Sequence, residues 1–307
     1  MKEVKLRQYA EKYFDPVEGL DDNSTLWETE ASDFSLPKRK PVSHKYTYGR
    51  ALVIAGSRGF SGAPVLAANA CERSGAGLTH LMVPDSIYTV AAIKCDGAVV
   101  TGLPATVQGG IDKEALTTIL PHLEKASACC IGPGLGLGEE TKAVVKSVLR
   151  HAACPLVLDA DALTLCAQES GSLSECRAPL ILTPHEGEFR RIGGDLTDGR
   201  LAGALRFTKE HQNIILVLKG YGTLICRNRD ITVNPTGNPG MAKGGSGDVL
   251  CGILCGLLAQ GFEPLYAAKC AVFLHGLAGD LAALEIGEYS LAPSDLIRFL
   301  PKAFRML

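Results

Sequence analysis

The feature that most constrains the fold is the alternation of short apolar runs with longer helical patterns. Runs of aliphatic and β-branched residues occur at 51–55, 78–83, 128–132, 155–160, 180–183 and 213–220. These runs are apolar throughout, which is typical of parallel strands that are covered on both faces. Helical patterns lie between or after them, at 62–74, 113–124, 139–150, 198–210, 248–260, 264–282 and 293–304. The alternation predicts an α/β fold in which helices flank a central, mostly parallel sheet.

Composition and charge exclude several classes of protein. Hydrophobic residues make up 46% and charged residues 21% of the 307 residues, which excludes a disordered chain. Because 31 Lys and Arg face 33 Asp and Glu, no basic field is available for nucleic acid or anionic membrane. The charged N-terminus has no apolar signal core behind it, and no uninterrupted apolar run reaches the roughly 18 residues of a membrane span. We expect a cytoplasmic protein that recognises a small molecule.

Eleven cysteines could indicate disulfides or a metal site, but their spacing favours neither. No C-x-x-C occurs, and Cys251 and Cys255 stand one helical turn apart inside an apolar run. We expect buried, reduced thiols and no metal held by protein ligands alone.

The chain divides near residue 45. Residues 1–45 are polar and carry the Pro- and Lys-rich stretch LPKRKPVSH, which predicts an extended N-terminal arm outside the core. No linker interrupts the rest, so residues 46–307 are predicted to form one catalytic domain.

The stretch NPTGNPGMAKGGSGDVLCGILCGLLAQG, residues 234–261, carries the strongest functional signal. A loop containing Gly244, Gly245, Ser246 and Gly247 runs into an apolar helix, an arrangement that can present main-chain N–H groups to a phosphate. A glycine turn with Ser246 or Asp248 as an ordinary helix cap remains open.

Asp248 makes passive phosphate binding a poor explanation. Its carboxylate would repel a phosphate held by the loop, so it is better suited to act as a general base or to handle a phosphate-bound cation. This favours phosphoryl transfer. Neither the Walker pattern G-x-x-x-x-G-K-[ST] nor the dinucleotide pattern G-x-G-x-x-G is present.

Other candidate residues follow the predicted strands. Lys219, Gly220, Tyr221, Gly222 and Thr223 could hold a nucleotide, although a simple hairpin turn remains open. A second group also follows strand ends, where a parallel sheet presents its ligands, although close packing or helix capping would explain the same residues. This group comprises Ala63, Gly134, Asp159, Asp161, His185 and Glu188.

The motifs, in their order along the chain, resemble those of the ADP-dependent (S)-NAD(P)H-hydrate dehydratase family, which has a ribokinase-like three-layer fold and also forms the C-terminal half of a bifunctional repair enzyme. The resemblance spans residues from about 37 to 303 and rests on GSRGFSGAPVLAANACERSGAGL, GPGLG, LDADAL, LTPHEGEF, LKGYGT and the 234–261 stretch.

The resemblance implies that the protein dehydrates the S form of NAD(P)H hydrate, consumes ADP and releases AMP and phosphate, with ATP as a possible replacement and Mg²⁺ accompanying the nucleotide. By motif, Ala63, Gly134, His185 and Asp248 would contact the hydrate, with Asp248 as the catalytic base. The nucleotide would be held by Lys219, Gly220, Tyr221, Gly222, Thr223 and Gly247, and the phosphate loop is Gly244, Gly245 and Ser246. The family also implies a homo-oligomer.

The chain departs from the family pattern in three respects. Lys243 and Ser246 stand where the family usually has threonine, and Lys243 leaves open whether ADP or ATP is preferred. The epimerase half is not seen, so any NAD(P)H-hydrate epimerase would be a separate protein. Two alternatives remain open: a ribokinase-like kinase of a small vitamin precursor, and a nucleotide sensor without turnover.

Overall fold

The computed structural model describes residues 1–17, 20, 26–169 and 171–307. All six predicted strands and all seven predicted helical regions are present, with ends shifted by a few residues. The strands are β1 (Lys2–Val4), β2 (Leu26–Glu28), β3 (Arg50–Ile54), β4 (Leu78–Pro84), β5 (Val99–Leu103), β6 (Ala128–Ile131), β7 (Leu156–Leu158), β8 (Leu180–Leu182), β9 (Ile214–Leu218), β10 (Thr223–Arg227) and β11 (Asp230–Asn234). The α-helices are α1 (Leu6–Tyr13), α2 (Gly62–Arg73), α3 (Tyr88–Lys94), α4 (Leu116–Glu124), α5 (Glu139–His151), α6 (Ala160–Ala167), α7 (Glu186–Arg191), α8 (Arg200–Glu210), α9 (Ser246–Ala259), α10 (Pro264–Ile286) and α11 (Pro293–Phe304).

The described strands form one sheet in the order β1-β2-β11-β10-β9-β8-β7-β6-β3-β4-β5. The stretch from β9 to β5 is parallel throughout. β10 is antiparallel to both of its neighbours, and β2 pairs with β11 in parallel. The predicted α/β fold with a mostly parallel sheet is therefore confirmed. The carboxyl ends of the parallel strands meet along one side of the sheet, which we call the carboxyl edge.

Each parallel strand divides its side chains between two separate cores. In β9, Leu216 and Leu218 face one core, and Ile215 and Val217 face the other. Helices α1 and α4 to α8 cover the first face, whereas α2, α3 and α9 to α11 cover the second. This three-layer arrangement explains why the runs are apolar at every position, since both faces of the sheet are buried.

Glycines let α9 lie directly against α2. A Cβ atom at Gly252 would collide with the carbonyl oxygen of Ala67, and one at Gly256 would lie 2.6 Å from the carbonyl oxygen of Cys71. The two helices therefore approach at backbone contact. This packing places the start of α9, and the phosphate loop before it, beside the start of α2.

The prediction that residues 1–45 lie outside the core is wrong for the first part of this segment. β1 and β2 extend the sheet at its β11 side, and Tyr9, Leu26 and Tyr13 are buried in the first core. Polar composition concealed this because the apolar residues are few and lie in very short elements. Residues 36–47 are exposed, as an extended arm would be.

α10 has the length and hydropathy of a membrane span, contrary to the expectation that no stretch would. Its most apolar 18-residue window has a mean hydropathy of 1.3, and 67% of that window is buried inside the protein. The helix packs against α9, α11 and the sheet. Burial of this kind is what the central helix of a folded domain shows.

Candidate functional site

A buried group of charged side chains lies at the carboxyl edge. Asp159 follows β7 and Lys219 follows β9, and the Lys219 Nζ atom lies 2.8 Å from Asp159 Oδ1 and 3.7 Å from Glu188 Oε2. The Thr183 hydroxyl also donates to Asp159 Oδ1, at 2.8 Å. Burial alone would lower the pKa of Lys219, but the two carboxylates hold that pKa above its usual range. The same ion pair outweighs burial at Asp159 and keeps the pKa of this carboxyl low.

Asp248 stands in the first turn of α9, next to this ion pair. A Cβ atom at Gly247 would lie 3.2 Å from Lys219 Nζ and 3.8 Å from Asp159 Oδ2, so the helix start contacts the charged group. Burial and then the charge of Asp159 raise the pKa of Asp248 to about 7, while Lys219 opposes that rise. A carboxylate with this pKa can accept a proton near neutral pH, as a general base must.

The phosphate loop presents main-chain donors at the same place. Gly245 has a φ of 102° and directly precedes α9, a conformation that favours glycine. Within the described residues, no acceptor reaches the main-chain N–H groups of Gly244, Gly245 and Gly247. The Ser246 hydroxyl donates to the Met241 carbonyl at 2.7 Å and so closes the loop internally. The free N–H groups and the positive end of α9 form a place where an anion is stabilised.

Two side chains that the sequence analysis did not assign steady this loop. Lys243 Nζ donates to the carbonyls of Tyr289, at 2.8 Å, and Leu291, at 2.5 Å. Its ammonium is therefore engaged by the α10–α11 connection. The His275 ring donates from Nε2 to the carbonyl of Ser246 at 2.9 Å, with the ring neutral because burial lowers its pKa to about 4. His275 gave no local signal, since only the tertiary fold brings α10 to the loop.

Ala63 and Gly134, both predicted to contact the hydrate, are neighbours in the structure. A Cβ atom at Gly134 would lie 3.2 Å from Ala63 Cβ, and Gly134 has a φ of 62°. The loop after β6 is tied to the first turn of α6, because the Gly136 N–H donates to Asp161 Oδ2 at 2.8 Å. The two strand-end motifs GPGLG and LDADAL therefore form one surface. A Cβ atom at Gly134 would also lie 2.8 Å from Phe60 Cβ, so glycine at this position permits the loop after β6 to pack closely against the segment before α2.

His185 caps a helix, which was the structural alternative for this residue. Its Nδ1 accepts from the N–H groups of Gly187, at 3.0 Å, and Glu188, at 3.2 Å, at the start of α7. The acceptor role of Nδ1 places the proton on Nε2, which lies 3.4 Å from Glu188 Oε1. More than half of the side chain is exposed, so the Nε2 side can still meet a ligand.

The segment Lys219–Thr223 contains the four-residue turn between β9 and β10 and the first residue of β10, and we call it the nucleotide hairpin. The Thr223 hydroxyl donates to the Gly220 carbonyl at 3.0 Å. Tyr221 at the tip is 66% exposed. Lys219 alone among these residues reaches the charged group, and the rest form the rim beside it.

Two cavities of about 240 Å³ and 660 Å³ lie at the opposite edge of the sheet, and none of the predicted site residues lines either. In the part of the chain that the structure describes, no group of three or more His, Cys, Asp or Glu residues could hold a metal ion. The candidate site rests instead on the convergence of the charged group, Asp248 and the glycine N–H donors at the carboxyl edge.

Comparison with known proteins gives several close likenesses. The chain is 41% identical over 277 residues to a bifunctional NAD(P)H-hydrate repair enzyme from Moorella thermoacetica, which covers 89% of this chain and 52% of that enzyme. The chain thus spans about half the length of the curated relatives it matches.

Two solved structures share the fold. A ribokinase-like superfamily protein from Enterococcus faecalis superposes with a TM-score of 0.80 at 30% identity, over 94% of this chain and 99% of that one. The ADP/ATP-dependent NAD(P)H-hydrate dehydratase from Bacillus subtilis, co-crystallised with ATP/Mg²⁺, superposes with a TM-score of 0.73 at 32% identity, over 88% and 94% of the two chains. The sequence model of the NAD(P)H-hydrate dehydratase family matches residues 51–302. The chain therefore belongs to the NAD(P)H-hydrate dehydratase family.

Proposed function

We propose that this protein uses ADP, or ATP in its place, to dehydrate the S form of NAD(P)H hydrate to NAD(P)H. With ADP the other products are AMP and phosphate. The observation that carries the proposal is Asp248, a carboxyl with a pKa of about 7 that lies beside N–H groups free to receive a phosphate. A site for passive nucleotide binding has no use for a carboxylate in this position.

The reaction divides into a transfer and an elimination. Asp248 takes the proton from the ring hydroxyl of the hydrate, and that oxygen attacks the terminal phosphorus while the bond to the departing nucleotide breaks. Phosphate then leaves with the electrons of the carbon–oxygen bond, and the adjacent ring carbon loses a proton, which regenerates the dihydropyridine. Transfer is needed because hydroxide is a poor leaving group. The free N–H groups of Gly244, Gly245 and Gly247 offset the charge that develops on the transferred group.

Mg²⁺ fits this site as a companion of the nucleotide. Asp159, Asp161, Glu188 and Asp248 outnumber Lys219 at the carboxyl edge, so a polyphosphate needs a cation to approach it. Carboxylate oxygens suit Mg²⁺, which commonly binds proteins through one or two carboxylates and the substrate's phosphates. When bound, the ion would neutralise negative charge on the phosphates.

The proposal extends to the cellular compartment and the partners of the protein. All eleven cysteines are free and ten are buried, which supports a reducing compartment such as the cytoplasm. An NAD(P)H-hydrate epimerase that acts in the same repair, as the resemblance to the family implies, is also part of the proposal. A homo-oligomer remains part of the proposal as well.

The decisive assay mixes purified protein, Mg²⁺, and ADP or ATP with NADH or NADPH hydrate in both epimeric forms. We expect the absorbance band of reduced nicotinamide to return for the S form alone, with one phosphate released per cofactor recovered. Omission of nucleotide is the control. No recovery with either nucleotide contradicts the proposal, and a stable phosphorylated product would instead identify a small-molecule kinase.

A further inference from the structure

The N-terminal segment contacts the nucleotide hairpin directly. The ring of Tyr13, at the end of α1, occupies the space that a side chain at position 222 would need, and Gly222 has a φ of 63° there. The same ring lies 5.4 Å from the ring of Tyr221, centroid to centroid. Tyr13 is held in place by its hydroxyl, which donates to Glu28 Oε2 at 2.9 Å. The hairpin therefore rests on residues that precede the catalytic domain in sequence.

Asp15 ties the same segment to α8. Its buried carboxylate accepts from the N–H groups of Arg200, at 2.7 Å, and Leu201, at 2.9 Å, which are the first two residues of that helix. The Tyr9 hydroxyl donates to the same carboxylate at 2.7 Å. The residue before α8 is Gly199, which has no side chain that could cap the helix. The cap is therefore supplied by Asp15, 185 positions from Arg200 in the sequence.

Arg200 carries this connection to the hairpin. Its guanidinium donates to the carbonyls of Tyr221, at 2.7 Å, Gly222, at 3.4 Å, and Leu218, at 3.1 Å. Three carbonyls on one planar guanidinium leave the hairpin little freedom to change its path.

We propose that the N-terminal segment positions the nucleotide site. Tyr13 and Asp15 of this segment, together with Arg200 of α8, hold the hairpin Lys219–Thr223 in the conformation that binds the nucleotide. This inference rests on the proposed function, in which that hairpin contacts ADP or ATP. The three residues are positioning residues, since they act through the hairpin. Loosening them lowers nucleotide affinity because binding must then order the hairpin.

The test uses Arg200→Met and Asp15→Asn in the full chain. Loss of a hydrogen bond that leaves a buried N–H or carbonyl unpaired is sufficient to raise the KM for ADP about tenfold. We expect this rise with kcat changed less than about threefold and the KM for the hydrate unchanged. Arg200→Lys, which keeps a donor for some of the carbonyls, should recover part of the affinity. Tyr13→Ala removes the ring that packs against Gly222 and should also raise the KM for ADP.

A stability control separates positioning from general loosening. Leu26→Ala removes a fully buried side chain from β2 in the same segment, away from the hairpin, and should lower Tm without changing the KM for ADP. All variants are assayed below the lowest Tm. If Leu26→Ala raises the KM as much as Asp15→Asn does, or if Asp15→Asn does not raise it, the segment is only structural and the inference fails.

Amide hydrogen exchange separates this failure from that of the proposed function. In the parent protein ADP should slow exchange in residues 219–223, and Arg200→Met should speed exchange there before ADP is added. If ADP leaves exchange in the hairpin unchanged while activity is present, the hairpin is not the nucleotide contact, and both the assignment and this inference are wrong. Slowed exchange without any effect of Arg200→Met rejects the inference alone.

Discussion

The two halves of the candidate site hold charge in different ways. One half consists of acidic and basic side chains, Asp159, Glu188, Lys219 and Asp248, which are buried or half-buried, and their charges shift the pKa values of Asp159, Lys219 and Asp248. The other half consists of the N–H groups of Gly244, Gly245 and Gly247, which carry no net charge and face no acceptor among the described residues. The first half suits proton transfer and the second suits an anion. Phosphoryl transfer from a nucleotide to a hydroxyl requires both a proton acceptor and a place for the phosphate, so the proposed reaction uses both halves.

Asp248→Asn should have the largest effect on activity and should impair the side-chain half alone. The amide keeps the shape of the carboxyl group but cannot take a proton, so we expect kcat to fall at least about 10²-fold. The main-chain half is untouched, and ADP affinity measured by calorimetry should change less than about threefold. Retention of activity would place the base elsewhere.

The same variant should be more stable than the parent protein at pH 8. A carboxyl whose pKa is raised from 3.8 to about 7 binds its proton more tightly when folded, so the folded state loses stability as the pH rises through that interval. Asp248→Asn removes this loss and should raise the free energy of unfolding by about 1–2 kcal/mol at pH 8, and by little at pH 4. If the variant and the parent protein differ in free energy of unfolding by the same amount at pH 8 and pH 4, Asp248 has an ordinary pKa.

Lys219→Met should have the next largest effect, because it changes the electrostatics of the side-chain half. Lys219 lowers the pKa of Asp248, so its loss moves the acid limb of the pH profile of kcat/KM upward from about 7. Turnover at pH 7 should fall about fivefold to tenfold if the limb moves by about one unit.

Removing both charges provides the control for Lys219→Met. That single variant leaves Asp159 as a buried charge without its partner and should lower the free energy of unfolding by about 3–5 kcal/mol. Adding Asp159→Asn removes both the opposing influences on Asp248, so the limb should return toward its original position and part of the stability should be regained. A further upward shift in the double variant would contradict this account.

Gly245→Ala should have the smallest effect and should act on the main-chain half alone. The residue has a φ of 102°, and a Cβ atom there would lie 2.8 Å from Leu66 Cδ1 and 3.0 Å from Pro293 Cγ. We expect the KM for ADP to rise about threefold to fivefold as the loop shifts, with the pH profile unchanged. Gly244→Ala is the matched control, since nothing lies within 4 Å of a Cβ at that position.

Much of the fold followed from local patterns, but parts of the site did not. The runs that became β3, β4 and β6 to β9 are strongly apolar, and the glycine loop before α9 stands out by composition. β1, β2, β5 and β11 were missed, since they are only three to five residues long and mix polar with apolar positions, and β10 was anticipated only as the second strand of a possible hairpin. Short polar strands are recognised by their partners in the sheet, which local composition does not contain.

The roles of individual side chains show the same limit. Lys243 left the choice between ADP and ATP open in the sequence, yet its ammonium donates hydrogen bonds to the α10–α11 connection. Arg200 and Asp15 gave no signal, because each acts across the fold on a residue far away in sequence. Lys219 and Asp159, in contrast, were selected as residues at strand ends, and the structure joins them in one ion pair.

The sequence by itself determined the layered α/β architecture, the glycine loop and the acidic residue that follows it. These features are local: apolar runs of strand length, glycines at one loop and a helix start are written in consecutive residues. Only the tertiary structure decided the pKa of Asp248, the pairing of Lys219 and the place of the N-terminal segment beside the nucleotide hairpin. Electrostatic shifts and long-range hydrogen bonds depend on distances between residues that the chain separates widely, and folding alone sets those distances.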